Sequence, residues 1–264
     1  VLGYTPRVIS DWGALADRAI GGEPPSREDA LAVLRAPDGD LPAVLAAAHR
    51  IRARHHGDRV QVHVLQNVLS GLCPEDCGFC SQSSVATGPV ERYRLLSVAE
   101  MVEGARRAKE SGAYRYCMVT ATRGPSDAHL EAICEAIPEI TRDVGIRVCA
   151  SLGILREGQA ERLKAAGLDR FNHNLETSER HFPAVCTTHR YEDRVRTIER
   201  VHAAGIEACC GGIVGMGEPD EDLVDLAFAL RRLGVESIPV NLLDPRPGTP
   251  MGGRERPDPR RCLK

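Results

Sequence analysis

The sequence has no apolar run approaching about 18 residues, so nothing in it reads as a membrane span. It has no block of like charge, and its formal charge is only −3, which argues against nucleic acid as the main partner. No secretory signal is visible, which predicts a cytoplasmic protein. The chain starts at Val1 rather than Met, so a removed leader stays open. Aromatic residues are scarce at 4%, and the rest of the composition is that of an ordinary globular chain. At 264 residues there is material for one large domain or two small ones.

Cysteine, in contrast, is abundant, with ten in all. In a short secreted chain these would suggest disulfides, but here metal or redox chemistry is the better reading.

The first 55 residues read as a helical segment. Ser26 with Asp29 marks one helix start, and Asp40 is placed to cap the next. Residues 56–264 read as one α/β unit. Arg59–Leu69 alternates like a strand, and a loose repeat follows. Helical stretches end at Gly112, Gly145, Gly167, Gly205 and Gly234, each followed by a strand-like run. This gives six βα units and predicts a parallel α/β fold. Six units satisfy a doubly wound sheet, whereas a TIM-type (β/α)8 barrel needs two more.

The cysteine positions add to this. Cys117 lies five residues after Gly112, Cys149 four after Gly145, and Cys209 four after Gly205. Three strands therefore present a thiol at matched depth, and in a barrel these could converge on one interior point. Each alone could be a small buried hydrophobe. Asn172, Asn174 and Glu176 form a polar set with strand spacing, costly to bury unless they bind something. Asn241, on the last strand-like run, is a weaker case of the same kind.

Cys73-x3-Cys77-x2-Cys80 follows the first strand. Three thiolates in one loop suit a [4Fe–4S] cluster with one iron left open. Structural zinc would want a fourth ligand nearby, and thioredoxin-like chemistry leaves one thiol unexplained. The glycine-rich run Gly211–Glu218 reads as a strand exit whose glycines would let a flat ring approach the backbone.

The loop, with Phe79 before its last cysteine, resembles the radical S-adenosylmethionine (SAM) motif. The wider set resembles the biotin synthases. It comprises Phe171-Asn-His-Asn-Leu-Glu-Thr-Ser178, Thr187 through Arg194, Cys209 through Glu218, and Pro239-Val-Asn-Leu-Leu243 with Pro247-Gly-Thr-Pro250. The similarity runs from about Asp11 to the end.

This resemblance implies a radical SAM (β/α)8 barrel lacking its last two strands, one of which carries an arginine ligand in the family. It implies a [4Fe–4S] cluster on Cys73, Cys77 and Cys80 with SAM on its open iron. A second cluster, a [2Fe–2S], would sit on Cys117, Cys149 and Cys209 and supply sulfur. The product would be biotin, made from dethiobiotin through a 5′-deoxyadenosyl radical. Asn174 and Glu176 would contact the SAM ribose and the substrate. Arg194 would pair with the SAM carboxylate, Phe79 and the Ile213–Val214 turn would flank adenine, and Asn241 would bind the substrate ureido ring. A flavodoxin or ferredoxin as electron donor and a homodimer are further implications.

Cys210 stands where the family more often has Ser, which leaves Cys209 or Cys210 as the ligand, with register favouring Cys209. Cys134, Cys186 and Cys262 read as spare thiols. Another radical SAM enzyme of similar barrel, a metallocofactor maturase or a mutase, would explain the loop but not the strand thiols. A non-catalytic iron–sulfur scaffold is the alternative outside enzymes.

Overall fold

The computed structural model describes residues 11–264 apart from Leu72, so the first ten residues of the expected helical segment lie outside it. Three helices lead the described chain: α1 (Trp12–Ile20), α2 (Arg27–Leu34) and α3 (Leu41–His56). Ser26 and Asp29 form the reciprocal cap that their spacing predicts. Asp40 does not act as a cap. It closes a 3-10 turn over Asp38–Asp40, and Pro42 in the first turn of α3 leaves one fewer amide to satisfy. Trp12, Ala36 and Val44 give these helices a small apolar core of their own. Arg27 pairs with Asp225, and Arg35 with Asp220 and Glu221, tying α2 to the helix α8 (Asp220–Leu233).

The sheet follows. Its strands are β1 (His63–Leu69), β2 (Arg115–Thr120), β3 (Arg147–Ser151), β4 (Arg170–Asn172) and β5 (Glu207–Cys209). All neighbours are parallel, and spatial order equals chain order. A doubly wound sheet reverses its order at a switch point, whereas this one does not, which is the arrangement of a barrel wall. The helices α4 (Val98–Glu110), α5 (Asp127–Glu139), α6 (Gln159–Ala165) and α7 (Tyr191–Ala203) are the crossovers.

The expected fifth strand is interrupted. After β5 the chain continues as β6 (Gly212–Val214), which pairs in parallel with β7 (Val240–Leu242). Bridges from Glu176 to Gly212 and from Cys209 to Ser237 carry the wall across the break. β5 and β6 are thus two pieces of one run, and the wall holds the six expected strands. Among the described residues β1 and β7 do not pair, so the wall is an open arc. A short helix α9 (Pro259–Cys262), capped by Asp258, follows β7.

Gly211 and Gly212 have a different role from the one expected. A Cβ on Gly211 would stand 1.9 Å from the Pro239 carbonyl oxygen, and one on Gly212 would stand 2.6 Å from that of Glu176. These glycines let three strands approach one another, and the room they leave is filled by backbone rather than by a ring. Ile213 and Val214 are correspondingly strand residues, not a turn.

Alternation sorts the strand side chains. Tyr116, Met118, Val148, Ala150, Phe171 and Ala208 join the main apolar core under the helices. Arg115, Cys117, Cys149, Arg170, Asn172 and Cys209 take the opposite, inner face.

Candidate active site

Two sets of thiols occupy the inner side of the arc. The first lies on the loop after β1. Cys73, Cys77 and Cys80 line a cavity of about 280 Å³, together with Phe79, Asn174, Glu176, His189 and Arg194. The loop is fixed at many points. Gly78 N–H donates to the Val185 carbonyl at 2.9 Å, and the Gly78 carbonyl accepts from Met251 N–H at 3.0 Å. Gln82 accepts from Gly71 N–H at 2.9 Å, and the Glu75 carbonyl accepts from Ser84 N–H at 2.8 Å. Asp76 accepts from the amides of Thr187 (2.9 Å) and Thr188 (3.2 Å).

Burial pushes the Cys73 and Cys80 thiols above their usual range. A hydrogen bond with Cys186 does the same to Cys77 and lowers Cys186 to about 4. Cys186 is therefore not a spare thiol. It is buried against the cluster loop, with its Sγ 3.1 Å from Asp76 and 3.3 Å from His189 Nδ1. Cys134 lies on α5 and Cys262 on α9, neither of them at the cavity.

The polar strand set meets this loop. His173 is buried, which holds its pKa well below the ordinary 6.5, and its Nε2 has no partner. Glu176 is the only non-glycine residue with positive φ, +69°, among the described residues. One of its carboxylate oxygens is buried without a partner, and burial raises its pKa. Strained backbone and an orphaned carboxylate oxygen at one residue mark a position kept for binding. Arg194 is 8% exposed and so is not a surface helix residue. Its Nη1 donates to the Asn174 carbonyl at 2.7 Å and faces Glu176 at 3.5 Å. Asn174 Oδ1 accepts from Gly211 N–H at 3.1 Å.

Phe79 and Ile213 pack on one small apolar cluster with Met216 and Met251. Val214 and Asn241 lie on the β6–β7 pair, away from the 280 Å³ cavity. Asn241 Nδ2 donates to the Gly212 carbonyl at 3.4 Å.

The second thiol set lies deeper in the arc. Cys117 and Cys149 are direct register partners. Cys149 pairs with Arg170, Arg170 pairs with Glu207, and Cys209 lies two residues beyond. In a (β/α)8 barrel the register slips by about one residue per strand, so two strands bring Cys149 and Cys209 to one level. A hydrogen bond to Cys149 and burial hold Cys117 well above its usual pKa, and the same bond lowers Cys149. Cys210 faces the other way, in the core beneath the helices.

Arg115 lies beside this set and escaped the sequence reading. It is 1% exposed, and its Nε and Nη1 have no partner. Its charge favours the thiolate form of all three cysteines. Its Nη2 faces Glu207 at 3.7 Å, and three thiols beside the two remaining unpartnered guanidinium nitrogens fit an anionic, sulfide-bearing group better than an empty core. The loop thiols, with an open cavity beside them, fit a cluster that leaves one iron accessible. Arg115 sits two residues before Cys117, a strand spacing that could have signalled it.

Residues 67–230 match the model of the radical SAM superfamily. A biotin synthase from Salinibacter ruber is 52% identical over 97% of this chain and 71% of its own length. One from Geobacillus kaustophilus is 45% identical over 97% of the chain and 77% of its own length. The chain belongs to the biotin synthase family. Like the superfamily as a whole, the family uses a [4Fe–4S] cluster and SAM. The fold is shared more widely than this family. Crystalline methylornithine synthase matches 90% of the chain and 70% of its own, with a TM-score of 0.80 at 19% identity. The hydrogenase maturase HydG from Carboxydothermus hydrogenoformans matches 96% and 62%, with a TM-score of 0.77 at 21% identity. Among the described residues, no helix is long and apolar enough to cross a membrane.

Proposed function

We propose that this protein converts dethiobiotin to biotin by radical sulfur insertion, the last step of biotin biosynthesis. The observation that carries the reading is the pair of thiol sets, one on the loop and one on three strands, sharing one barrel interior. Cys73, Cys77 and Cys80 would hold the [4Fe–4S] cluster, and Cys117, Cys149 and Cys209 a [2Fe–2S] cluster. When bound and reduced, the first cluster with SAM supplies a 5′-deoxyadenosyl radical, and the second supplies sulfur.

The chain's own residues orient and shield. Arg194 offers its guanidinium to the SAM carboxylate. Asn174 and Glu176 meet the ribose and the substrate. Phe79 and the Ile213–Val214 backbone of β6 would flank adenine, and Asn241 on β7 would meet the ureido ring outside the 280 Å³ cavity. The buried wall keeps water and stray hydrogen donors from a reactive carbon radical. His173, held neutral by burial, adds no charge there.

We take residues 1–55 as a helical segment and residues 56–264 as the barrel, and ion pairs from α2 to α8 brace the one against the other. The protein works in the cytoplasm as a homodimer and takes electrons from a flavodoxin or ferredoxin.

The test is anaerobic reconstitution followed by reduction with SAM and dethiobiotin. Biotin and 5′-deoxyadenosine are expected together by mass spectrometry. SAM cleavage without biotin would remove the substrate assignment.

A further inference from the structure

Glu75, His189 and Arg194 form a buried row behind the cavity. Glu75 lies between two of the loop cysteines and is 5% exposed. Its carboxylate accepts from the Thr188 hydroxyl, contacts His189 Nδ1, and faces Arg123 Nε at 3.6 Å. On the far side of the imidazole, Arg194 Nε donates to His189 Nε2 at 2.9 Å.

The chemistry of the row fixes its protons. A guanidinium can only donate. His189 Nε2 must therefore present its lone pair, and the ring proton sits on Nδ1, directed at Glu75. Glu75, Cys186 and His189 do bring three potential metal-ligand atoms within 4.8 Å. In this tautomer, however, Nδ1 carries a proton rather than a lone pair, so the cluster is a hydrogen-bond relay and not a metal site. Donation runs one way, from Arg194 through His189 to Glu75.

The relay determines what Arg194 has left. Nε goes to His189 and Nη1 to the Asn174 carbonyl and Glu176. The guanidinium carbon lies over the Phe182 ring, 5.6 Å from its centroid, and His189 packs edge-on against the same ring at 5.5 Å. Nη2 makes no bond to protein among the described residues, and Arg194 lines the cavity.

We propose that Glu75 and His189 are positioning residues that hold Arg194 with one face of its guanidinium turned to a ligand carboxylate. Because Glu75 belongs to the cluster loop, the relay also sets the distance between that loop and the carboxylate-binding group. A ligand gripped at both places, such as the amino-acid end of SAM, is thereby measured for length. This inference rests on the proposal that Arg194 receives the SAM carboxylate.

The experiment measures SAM affinity of the reconstituted holoenzyme by equilibrium dialysis, with iron content and circular dichroism alongside. His189→Ala should weaken SAM binding by about 10- to 100-fold, the usual cost of losing an orienting partner. Iron content and the KM for dethiobiotin should not change. His189→Gln, whose amide can accept from Arg194 and donate to Glu75, should recover most of the affinity. Wild-type affinity in His189→Ala, with Arg194→Lys still weakened, overturns the relay and leaves the role of Arg194 intact. Wild-type affinity in Arg194→Lys overturns both, and places the failure in the site assignment. If His189→Ala does not fold, Glu75→Gln carries the test. Its amide oxygen still accepts from Nδ1–H but without charge, so a smaller loss is expected at unchanged iron content, and no loss overturns the proposal.

Discussion

Cys117 and Cys149 stand directly opposite each other in neighbouring parallel strands, close enough to share a hydrogen bond. Two adjacent thiols on the inner face of a barrel wall are poor structural elements, because they fill little volume and leave weakly satisfied sulfur. They are well suited to ligation, and Cys209 and Arg115 complete the set.

This geometry separates two neighbouring cysteines. Cys209→Ser should remove the iron that exceeds one [4Fe–4S] cluster while leaving 5′-deoxyadenosine formation largely in place. Cys210→Ser should leave iron content alone. It should instead destabilise the fold by about 1–3 kcal/mol, since a hydroxyl would replace a thiol in an apolar site. Iron analysis and thermal melting distinguish the two. Loss of iron in Cys210→Ser but not Cys209→Ser would reverse the assignment.

Arg115 gives a second expectation. Arg115→Met keeps volume and apolar stem but removes the buried charge. The second cluster should then bind about 10- to 100-fold more weakly, as when other supporting groups are lost. SAM cleavage by the first cluster should persist. Reconstitution at limiting iron, followed by visible absorption, reads this directly.

The glycine pair at the break between β5 and β6 is a packing requirement. Gly212→Ala places a methyl group 2.6 Å from both the Glu176 carbonyl oxygen and Leu226 Cδ2. Overpacking of this kind costs about 1–3 kcal/mol. The melting temperature should fall, and SAM affinity should fall with it, because Glu176 is the residue pushed. A variant as stable as wild type would show that the strands can separate freely.

Asp193 supplies a pH dependence. It accepts from Arg190 N–H at 3.0 Å, at the start of the helix that carries Arg194. That bond holds its carboxyl below the usual 3.8. A depressed folded-state pKa means the contribution is complete above about pH 4 and fades as pH falls through the folded value. Asp193→Asn should therefore lower stability at pH 7 by up to about 1 kcal/mol and make little difference at the acid end. Urea melts at pH 7 and pH 3 test this. An equal loss at both values would assign the effect to packing.

Much was legible in the chain alone. Glycines after helical runs placed the strands, and the loop spacing named three thiols. The reciprocal cap at Ser26 read correctly because it depends on four consecutive residues. Asp40 failed because its local backbone is set by the turn before it. The close approach of the Pro239 carbonyl oxygen to Gly211 was invisible because the two residues lie far apart in the chain. Cys186 was discounted for lack of a motif, and its contact with Cys77 spans more than 100 residues of chain.

Sequence by itself singled out the candidate thiols, because thiolate spacing within a loop and alternation along a strand are short-range properties. It also determined the parallel α/β class, since helix stops and strand runs are written locally. Only the tertiary structure decided that the wall is barrel-like rather than doubly wound, because strand order depends on pairing between distant segments. It likewise decided that Cys209 rather than Cys210 faces the interior, that Arg115 is buried beside three thiols with two of its nitrogens unpartnered, and that Glu75 reaches Arg194 through His189. Each of these depends on through-space contact, which no single stretch of chain encodes.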